Sequence, residues 1–566
     1  MIRRTPLLRS AVVLGATFFF LPAACAQERS PANRLEVKFV DDLDIGIETG
    51  EPRDRAGQVL VSPQALQLLS EISAAGGEWD RLVRMDEAEL DSLRARAVAN
   101  LGRRVGDLAN YFILRVPPGV DAPRWMARLE ALPEIASVRS APRPRPAPLV
   151  EDFTVPQGYL DPPPGGINAE WAWTLPGGTG KKVVIADLEY SWNLGHEDLP
   201  AATVLTLNGK TPYDPFSNDN HGTAVLGEMV SKNDAYGTTG AAFDAHVRVV
   251  PVCYEYGIFY DYEITWALVE VVKELTPGDV ILIEQQIDGP NSPPAGESQF
   301  GLVPMEWNEC FYAAVKFAVG NGIHVVAAAG NGSQNLDDSV YTAGHAPFLN
   351  DSGAILVGDG YPPGDSAGAD RTRGSTSCYG SRVNLQGWGN LVATTGFGDA
   401  YDAGDKNRWY TKTFSGTSSA AAMVAAAVAL VESCYEETQG SALSPAAMRA
   451  LLVETGSPQQ GDAGAQHIGP RPDVRAAICT FDSGPPEITC PPDIVVEGGG
   501  GGVARGDAVF DEFFGGVEVN DDLDPEPVLE NDSPVTFPLG TTAVTFTARD
   551  ACGKESACIA TVTVEE

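Results

Sequence analysis

Basic residues are scarce in this chain. Its 566 residues include 39 Lys and Arg against 76 Asp and Glu, which gives a formal net charge of −37 at pH 7. Because a surface that binds phosphate must be basic, this balance argues against nucleic acid and anionic membrane as partners. Acidity of this kind keeps a protein well solvated and carries little information about its substrate.

Long hydrophobic runs are also scarce, and the clearest one lies at the N-terminus. Three arginines precede the apolar stretch 11–21, which leads to the small-x-small site Ala24-Cys25-Ala26. This order is typical of an export signal, so residues 1–26 are predicted to be removed from a secreted or cell-envelope protein. The alternative is a lipid anchor at Cys25, which Pro22 disfavours because lipoprotein signals carry an aliphatic residue there. No other stretch is expected to span a bilayer.

Cysteine pairs with C-x-x-C spacing are absent, so the usual sequence sign of a zinc or redox site is missing. If Cys25 leaves with the signal, eight cysteines remain, which suits disulfides in an exported protein. Eight cysteines permit 105 pairings, and the sequence leaves the choice between them open. We predict no metal from the cysteines and no cofactor for the chemistry, with structural calcium left open.

Residues 27–150 are predicted to form a small α+β domain followed by a linker. Strand-like runs occupy 35–40, 111–116 and 135–138. A helix is expected to begin near Asp121, because Asp is a favoured N-cap and Pro123 suits the first turn. Its apolar face consists of Trp125, Leu129 and Leu132. The proline-rich stretch 141–148 is typical of an extended linker and marks a domain boundary.

Short apolar runs alternate with helical patterns through the next region, 151–482. The runs are 183–186, 247–252, 280–283, 325–329 and 354–357, and the helical segments include 264–275, 309–319 and 418–433. Continuously apolar strands separated by helices predict a doubly wound α/β domain with a mostly parallel sheet. In such sheets the chemistry lies on loops at the carboxyl ends of the strands. The remaining residues, 484–566, show alternating Val, Thr and Ile and predict an all-β sandwich.

Three candidate catalytic residues each follow a strand or open a helix in this α/β region. Asp187 follows the predicted strand 183–186, His221 precedes a small-residue helix, and Ser418 opens an Ala-rich helix. Each alone has an ordinary structural explanation, such as a turn former or an N-cap. Their order along the chain is Asp, His, Ser, which is the subtilisin order and differs from those of chymotrypsin and the α/β-hydrolases.

Four motifs give this region a resemblance to the subtilisin-like serine peptidases, or subtilases, over roughly residues 166–479. They are Ala186-Asp187, His221-Gly222-Thr223, Ala328-Ala329-Gly330-Asn331 and Gly416-Thr417-Ser418. The resemblance implies that Ser418 is the nucleophile, His221 its general base and Asp187 the residue that orients the histidine. It also implies that the Asn331 amide and the Ser418 backbone N–H stabilise the oxyanion.

The chain departs from the family pattern near two of these residues, which indicates a divergent branch. Leu188-Glu189 follows the aspartate where the family has Ser or Thr and then Gly, and Ser419 follows the serine where the family has Met. The segment 284–290 replaces the family's Ser-Leu-Gly-Gly with bulkier polar residues. The S1 specificity therefore does not carry over from the family.

The flanking regions carry weaker resemblances. Residues 27–150 occupy the place of a subtilisin-type propeptide, and the alternative is an unrelated accessory domain. The tail resembles a hyalin repeat, an immunoglobulin-like adhesion module, through Pro486-Glu487-Ile488-Thr489-Cys490-Pro491, Phe537-Pro538-Leu539-Gly540-Thr541-Thr542 and Asp550-Ala551-Cys552-Gly553. Leu523 stands where many such repeats have Cys. The tail is thus expected to contact a cell surface or matrix.

The function that follows is a secreted serine endopeptidase, made as a zymogen, that acts on protein or peptide substrates. Two alternatives stay open at this point. One is a pseudoprotease whose tail binds a surface partner. A binding scaffold of that kind has no physical need for all four catalytic positions together. The other is an esterase that uses the same triad, since ester and peptide hydrolysis share the acyl-transfer mechanism.

Overall fold

The computed structural model describes residues 34–40, 43, 45–48, 51–54, 62–81, 110–117, 119–140 and 157–566, the last range with gaps at 235, 294–297, 344–347 and 349. The predicted export signal 1–26, with Cys25, and the proline-rich stretch 141–148 lie outside the described residues. The chain divides into two compact units, Met1–Ala147 and Pro148–Glu566.

In its described residues, the first unit contains a four-stranded antiparallel sheet and two helices. Its elements are β1 (Arg34–Phe39), β2 (Ile45–Glu48), β3 (Glu51–Asp54), α1 (Pro63–Ala74), β4 (Glu78–Arg81), β5 (Tyr111–Arg115), α2 (Ala122–Glu130) and β6 (Ile135–Ser140). The order in the sheet is β4-β5-β1-β6. Helix α2 begins as expected, because the Asp121 carboxylate accepts a hydrogen bond from the Arg124 backbone N–H. The predicted strands and helix are thus present, and the role as a propeptide stays a prediction.

The second unit begins with a region of alternating strands and helices. Its strands are β7 (Val184–Glu189), β8 (Thr203–Val204), β9 (His246–Pro251), β10 (Cys253–Tyr256), β11 (Phe259–Tyr262), β12 (Val280–Ile283), β13 (Gln286–Asp288), β14 (Leu302–Pro304), β15 (His324–Ala328), β16 (Ile355–Gly360), β17 (Leu385–Trp388), β18 (Val392–Thr395) and β19 (Tyr410–Phe414). Its helices are α3 (Ala169–Ala172), α4 (Asn220–Val230), α5 (Ile264–Val272), α6 (Glu309–Gly320), α7 (Ser339–Thr342), α8 (Thr417–Gln439), α9 (Pro445–Thr455) and α10 (Val474–Ile478).

Seven of these strands form one sheet in the order β17-β16-β15-β12-β7-β9-β8, and every neighbouring pair is parallel. Successive residues of a strand point to opposite faces. Val280 and Leu282 of β12 accordingly join the core beside α4 and α8, and Ile281 and Ile283 join the core beside α5 and α6. Helices cover both faces of the sheet, which confirms the predicted α/β fold.

Helix α8 runs through the larger core and is buried from Thr417 to Cys434. Among the described residues it is the one helix long and apolar enough to cross a membrane, and its apolar window is entirely buried. By length and composition alone, α8 departs from the expectation that no stretch after the signal is apolar enough to span a bilayer, but its burial in the core does not contradict the prediction of no transmembrane span. Its apolar composition reflects packing on all sides within a folded core.

The tail is rich in strands and has its own core. Its elements are β20 (Glu487–Thr489), β21 (Ile494–Glu497), β22 (Val503–Ala504), α11 (Asp511–Gly515), β23 (Glu518–Asn520), β24 (Val528–Asn531), β25 (Thr536–Phe537), β26 (Gly540–Arg549) and β27 (Glu555–Glu565). Four strands form a sheet in the order β21-β27-β26-β24. Phe510, Phe513 and Phe546 lie in the core beneath it. The hyalin-repeat and immunoglobulin-like assignments stay predictions.

Two disulfides involve the tail. Cys490 pairs with Cys558 within it, and Cys479, which follows α10, pairs with Cys552. Leu523, the residue at the predicted cysteine position of a hyalin repeat, is 3 % exposed and packs into the core of the α/β region. The tail is therefore attached to the α/β region by a covalent bond and by an apolar contact.

Candidate active site

Strand β7 carries two acidic residues on one face. The expected strand ended at residue 186 and left Asp187 at its carboxyl end, but β7 continues to Glu189. Because side chains alternate along a strand, Asp187 and Glu189 point to the face that α4 covers, and Leu188 points to the opposite core. Glu189, rather than Asp187, thus stands at the end of the strand, where the loops of an α/β sheet meet.

His221 lies in the first turn of α4, and its Nδ1 is 2.6 Å from Oε2 of Glu189. The other carboxylate oxygen of Glu189, Oε1, accepts hydrogen bonds from the Tyr190 backbone N–H at 2.7 Å and from the Gln285 side-chain amide at 3.2 Å. The Glu189 side chain is 4 % exposed. Both of its oxygens therefore have partners, and the carboxylate is fixed against the imidazole.

Asp187 lies deeper and does not hydrogen-bond to His221. Its Oδ2 accepts a hydrogen bond from Trp192 Nε1 at 2.7 Å, and its buried Oδ1 has no hydrogen-bond partner among the described residues. Burial, with the charge of Glu189 nearby, raises the pKa of Asp187 to about 8. The predicted contact between Asp187 and His221 is therefore absent from the structure. Because β7 is longer than expected, Glu189 rather than Asp187 lies beside His221.

The charge on His221 is controlled by two opposing effects. The ring is partly withdrawn from water, which lowers the pKa of His221, because the cation loses part of its hydration. The charge and hydrogen bond of Glu189 act in the opposite direction and raise the pKa of His221 above its ordinary value overall. With Nδ1 held by the carboxylate, Nε2 is the ring nitrogen left to exchange a proton in the cleft.

The two adjacent serines of α8 have different surroundings. Ser418 lines a cleft together with His221 and Asn331. The Ser419 hydroxyl is fully buried and donates a hydrogen bond to the Trp388 carbonyl at 2.8 Å. Of the two hydroxyls, that of Ser418 is the one that a substrate can reach.

Asn331 lies beyond the end of β15 and is held against the start of α8. Its Oδ1 accepts hydrogen bonds from the backbone N–H of Thr417 at 2.9 Å and from the Thr417 hydroxyl at 3.0 Å. Its own backbone N–H donates to Oε1 of Gln286 at 2.7 Å. Because Oδ1 is bound to the start of the helix, the Nδ2 amide is the group of Asn331 that can donate a hydrogen bond to an oxyanion.

The cleft that joins these residues has a volume of about 490 Å³. Its lining residues are Glu189, Tyr190, Phe216, Asn218, His221, Glu284, Gln285, Gln286, Gln299, Leu302, Asn331, Ser415 and Ser418. The polar segment that the sequence assigned to the specificity pocket thus contributes three consecutive side chains. Glu189 and Glu284 were not predicted as site residues. For Glu189 a signal was available, because it lies two residues after Asp187 in an apolar strand and therefore on the same face.

One group of acidic residues outside the cleft has the spacing of a cation site. Carboxylate oxygens of Asp482, Asp521 and Asp550 lie within 4.8 Å of one another. Such oxygens suit Ca²⁺. The Lys554 ammonium, 3.1 Å from Oδ2 of Asp482, already supplies a positive charge there. The cluster lies at the junction with the tail and takes no part in the cleft.

Comparison with known proteins identifies the family. Residues 180–469, just over half of the chain, match the subtilase family of peptidases. The chain belongs to the subtilase family. This is the family that the four sequence motifs predicted, and it accounts for the parallel sheet with a cleft at the carboxyl ends of its strands.

Two curated relatives are serine proteases. The major intracellular serine protease of Bacillus subtilis is 27 % identical over 296 residues, which cover 51 % of this chain and 79 % of the relative. The intracellular serine protease of Paenibacillus polymyxa is 26 % identical over 272 residues, or 47 % and 71 % of the two chains. A solved protease from Pseudoalteromonas arctica is 22 % identical, with a TM-score of 0.42, and the match covers 58 % of this subtilase and 99 % of that chain. The curated relatives support serine peptidase activity.

Proposed function

We propose that this subtilase is an exported endopeptidase in which Ser418, His221 and Glu189 act together on a peptide carbonyl. A serine hydroxyl is a weak nucleophile, so His221 Nε2 removes its proton as Oγ attacks, and an acyl-enzyme forms. His221 then gives the proton to the leaving amine, and water releases the acyl group by the same route. The observation that carries the proposal is the cleft that contains Ser418, His221 and Asn331 together.

Glu189 is the acid of this proposed triad. Its contact with Nδ1 of His221 supports the role of fixing the imidazole tautomer and stabilising the imidazolium. Asp187 is the acid that the family pattern implies, but its carboxyl is engaged by Trp192. Asp187 supports the indole of Trp192 on the same face of the sheet.

Charge that develops on the carbonyl oxygen also needs donors. The fixed Asn331 amide and the Ser418 backbone N–H are the proposed pair. Ser418 is the second residue of a 23-residue helix, so the positive end of the helix dipole points to the same place. No cofactor is proposed for the reaction.

Export is supported by the signal-like residues 1–26 and by the two disulfides, which persist in oxidising compartments. The curated relatives are named as intracellular proteases and give no support to export. The proposal of export therefore rests on the signal-like residues and disulfides of this chain alone. We propose further that the first unit is the propeptide of a zymogen.

The proposal is tested with Ser418→Ala and Ser419→Ala on casein and on a short peptide. We expect Ser418→Ala to fold and to lose activity, because no oxygen remains to form the acyl-enzyme. It should also accumulate as an unprocessed precursor if the first unit is removed autocatalytically.

Ser419→Ala is the matched control and should keep most of the activity, since its hydroxyl faces Trp388. Hydrolysis at the wild-type rate by a folded, protease-free Ser418→Ala preparation would contradict the assignment. So would a preference for a p-nitrophenyl ester with no cleavage of either peptide substrate, which would favour an esterase.

A further inference from the structure

A carboxyl that the proposed triad does not use lies beside the nucleophile. Glu284 follows β12, the central strand next to β7, and its side chain points to the same face as Leu282, toward α8. It is 5 % exposed and lines the cleft. Both of its carboxyl oxygens are buried, and neither has a hydrogen-bond partner among the described residues. The Ser418 hydroxyl, which lines the same cleft, is the side-chain donor close enough to influence the ionisation of Glu284.

The charges around Glu284 are unfavourable for a carboxylate. Three other acids lie near enough to oppose its ionisation, namely Asp187 and Glu189 on β7 and Glu228 on α4, and His221 lines the same cleft. Burial raises the pKa of Asp187 and of Glu228 as well, so these carboxyls compete with Glu284 for the same negative charge. A buried carboxylate without a cation partner is costly, and other acids nearby add to that cost. Burial first, and Asp187 next, hold the pKa of Glu284 well above its ordinary value. The neutral acid is therefore the form that this position favours.

We propose that Glu284 is a further catalytic residue whose neutral carboxyl donates a hydrogen bond to Ser418 Oγ. The inference rests on the proposed function, in which Ser418 is the nucleophile. A serine hydroxyl has one proton to donate and two lone pairs that accept. When Glu284 donates to a lone pair, the Ser418 proton is left free for Nε2 of His221.

Ionisation of Glu284 reverses this arrangement. A carboxylate accepts hydrogen bonds and cannot donate them. The ionised Glu284 would therefore accept a hydrogen bond from the Ser418 hydroxyl and compete with His221 for that donor. Activity should then decline as pH rises through the pKa of Glu284, and it should decline on the acid side as His221 becomes protonated. The enzyme would work in the window between these two ionisations.

The test compares the pH profile of kcat/KM, from initial rates on a peptide, for wild type, Glu284→Gln and Glu228→Gln. A glutamine amide donates at every pH, so Glu284→Gln should remain active and should lose the alkaline decline. Beyond that decline, its activity relative to wild type should rise up to about tenfold for each pH unit. Glu228→Gln is the control, because Glu228 is another buried acid that belongs to α4 and does not line the cleft. It should keep the alkaline decline, moved at most to lower pH, since Glu228 contributes to raising the pKa of Glu284.

Three results would overturn the inference while leaving Ser418 as the nucleophile. The first is an alkaline decline in Glu284→Gln identical to that of wild type. The second is the absence of such a decline in wild type up to the pH at which the protein unfolds. The third is loss of all activity in a folded Glu284→Gln variant, because an amide that donates at every pH should replace the neutral carboxyl.

Infrared difference spectra of the folded proteins separate this inference from the proposed function. Subtracting Glu284→Gln from wild type at neutral pH should reveal the carbonyl band of a protonated carboxyl. That band should shift in Ser418→Ala, because the hydrogen bond is lost. If wild type hydrolyses nothing, the proposed function fails, and the band still decides whether neutral Glu284 contacts Ser418. A difference spectrum without the band would overturn the inference.

Discussion

At the scale of single residues, the surroundings of a carboxyl decide what it can do in this cleft. Glu189 accepts hydrogen bonds on both oxygens and faces His221, so a negative charge there is supported. Asp187, two residues earlier, has one donor for two buried oxygens and is favoured in its neutral form. Two acids of the same strand face thus have different surroundings, which is why the proposed triad uses Glu189 and leaves Asp187 a structural role.

Glu189→Gln is expected to lower kcat severely, by roughly 10³–10⁴-fold, because the amide can stabilise neither the imidazolium nor the required tautomer. Asp187→Asn should cost less than about tenfold, since Asn still offers an oxygen to Trp192. Steady-state kinetics on a short peptide measure both variants. If Asp187→Asn were the more damaging change, the family's aspartate would be the acid of the triad after all.

Glu189→Gln should also shift the acid limb of the pH profile. Glu189 raises the pKa of His221, so in wild type the base is lost to protonation at a higher pH than for an ordinary histidine. Removing the carboxylate should move the acid limb of the residual activity in Glu189→Gln to lower pH. An acid limb that did not move would show that Glu189 does not control the charge of His221.

The sequence predicts the positions of some of these residues more directly than those of others. His221, Asn331 and Ser418 follow strands or open helices, where local motifs fix their positions closely. The acid depended on where β7 ends, and apolar patterning does not define the last residue of a strand. Glu284 could not be recognised, because its role depends on which strands are neighbours in the sheet.

At the scale of elements, the position of His221 depends on how closely α4 packs against β18. The hydroxyls of Thr394 and Thr395 donate hydrogen bonds to the carbonyls of Ala224 and Thr223, each at 2.7 Å. Gly227 faces the same two threonines, and a Cβ there would collide with their hydroxyl oxygens. The glycine therefore permits the close approach of helix and strand.

Gly227→Ala tests this packing. Alanine normally favours a helix over glycine by up to about 1 kcal/mol. Here the collision should instead destabilise the protein by roughly 1–3 kcal/mol and should displace His221 enough to lower kcat. Chemical denaturation in a Ser418→Ala background, which prevents self-digestion, measures the free energy of unfolding.

Gly320→Ala is the matched control, because Gly320 ends α6 and a Cβ there meets no atom within 4 Å. It should leave stability unchanged or raise it by a few tenths of a kcal/mol. Equal effects of the two substitutions would mean that the contact between α4 and β18 does not limit the space at Gly227.

The elements themselves were largely predictable. Continuous apolar runs identified β9, β12, β15 and β16, because strands that are buried on both faces cannot alternate. The order of strands in the sheet was not predictable from those runs, since every one of them satisfies the same pattern. Helix α8 resembles a membrane span in composition for the related reason that it is buried on all sides.

At the scale of the whole molecule, the tail and the α/β region share a junction rather than a plain linker. The Cys479–Cys552 disulfide and the buried Leu523 are joined there by two polar contacts. Arg475 donates to the Ala551 carbonyl at 2.9 Å, and Lys554 donates to the Asp482 carbonyl at 2.9 Å. The cysteine spacing left the pairing open, and the disulfides follow from the folded arrangement of the tail.

Deletion of residues 484–566, with Cys479→Ser to remove the unpaired thiol, tests what the tail contributes to activity and stability. Hydrolysis of a short peptide should persist with a kcat/KM close to that of the full chain, because all residues of the proposed site lie upstream.

Stability should fall, since the core loses the cover of Leu523, a loss of about 1.5–3 kcal/mol for one buried leucine. The disulfide is lost as well. Thermal unfolding in the Ser418→Ala background should show a Tm lower by several degrees, and full-length Leu523→Ala should show part of the same decrease. A truncated protein that is folded but cleaves no peptide would mean that the tail shapes the cleft through this junction.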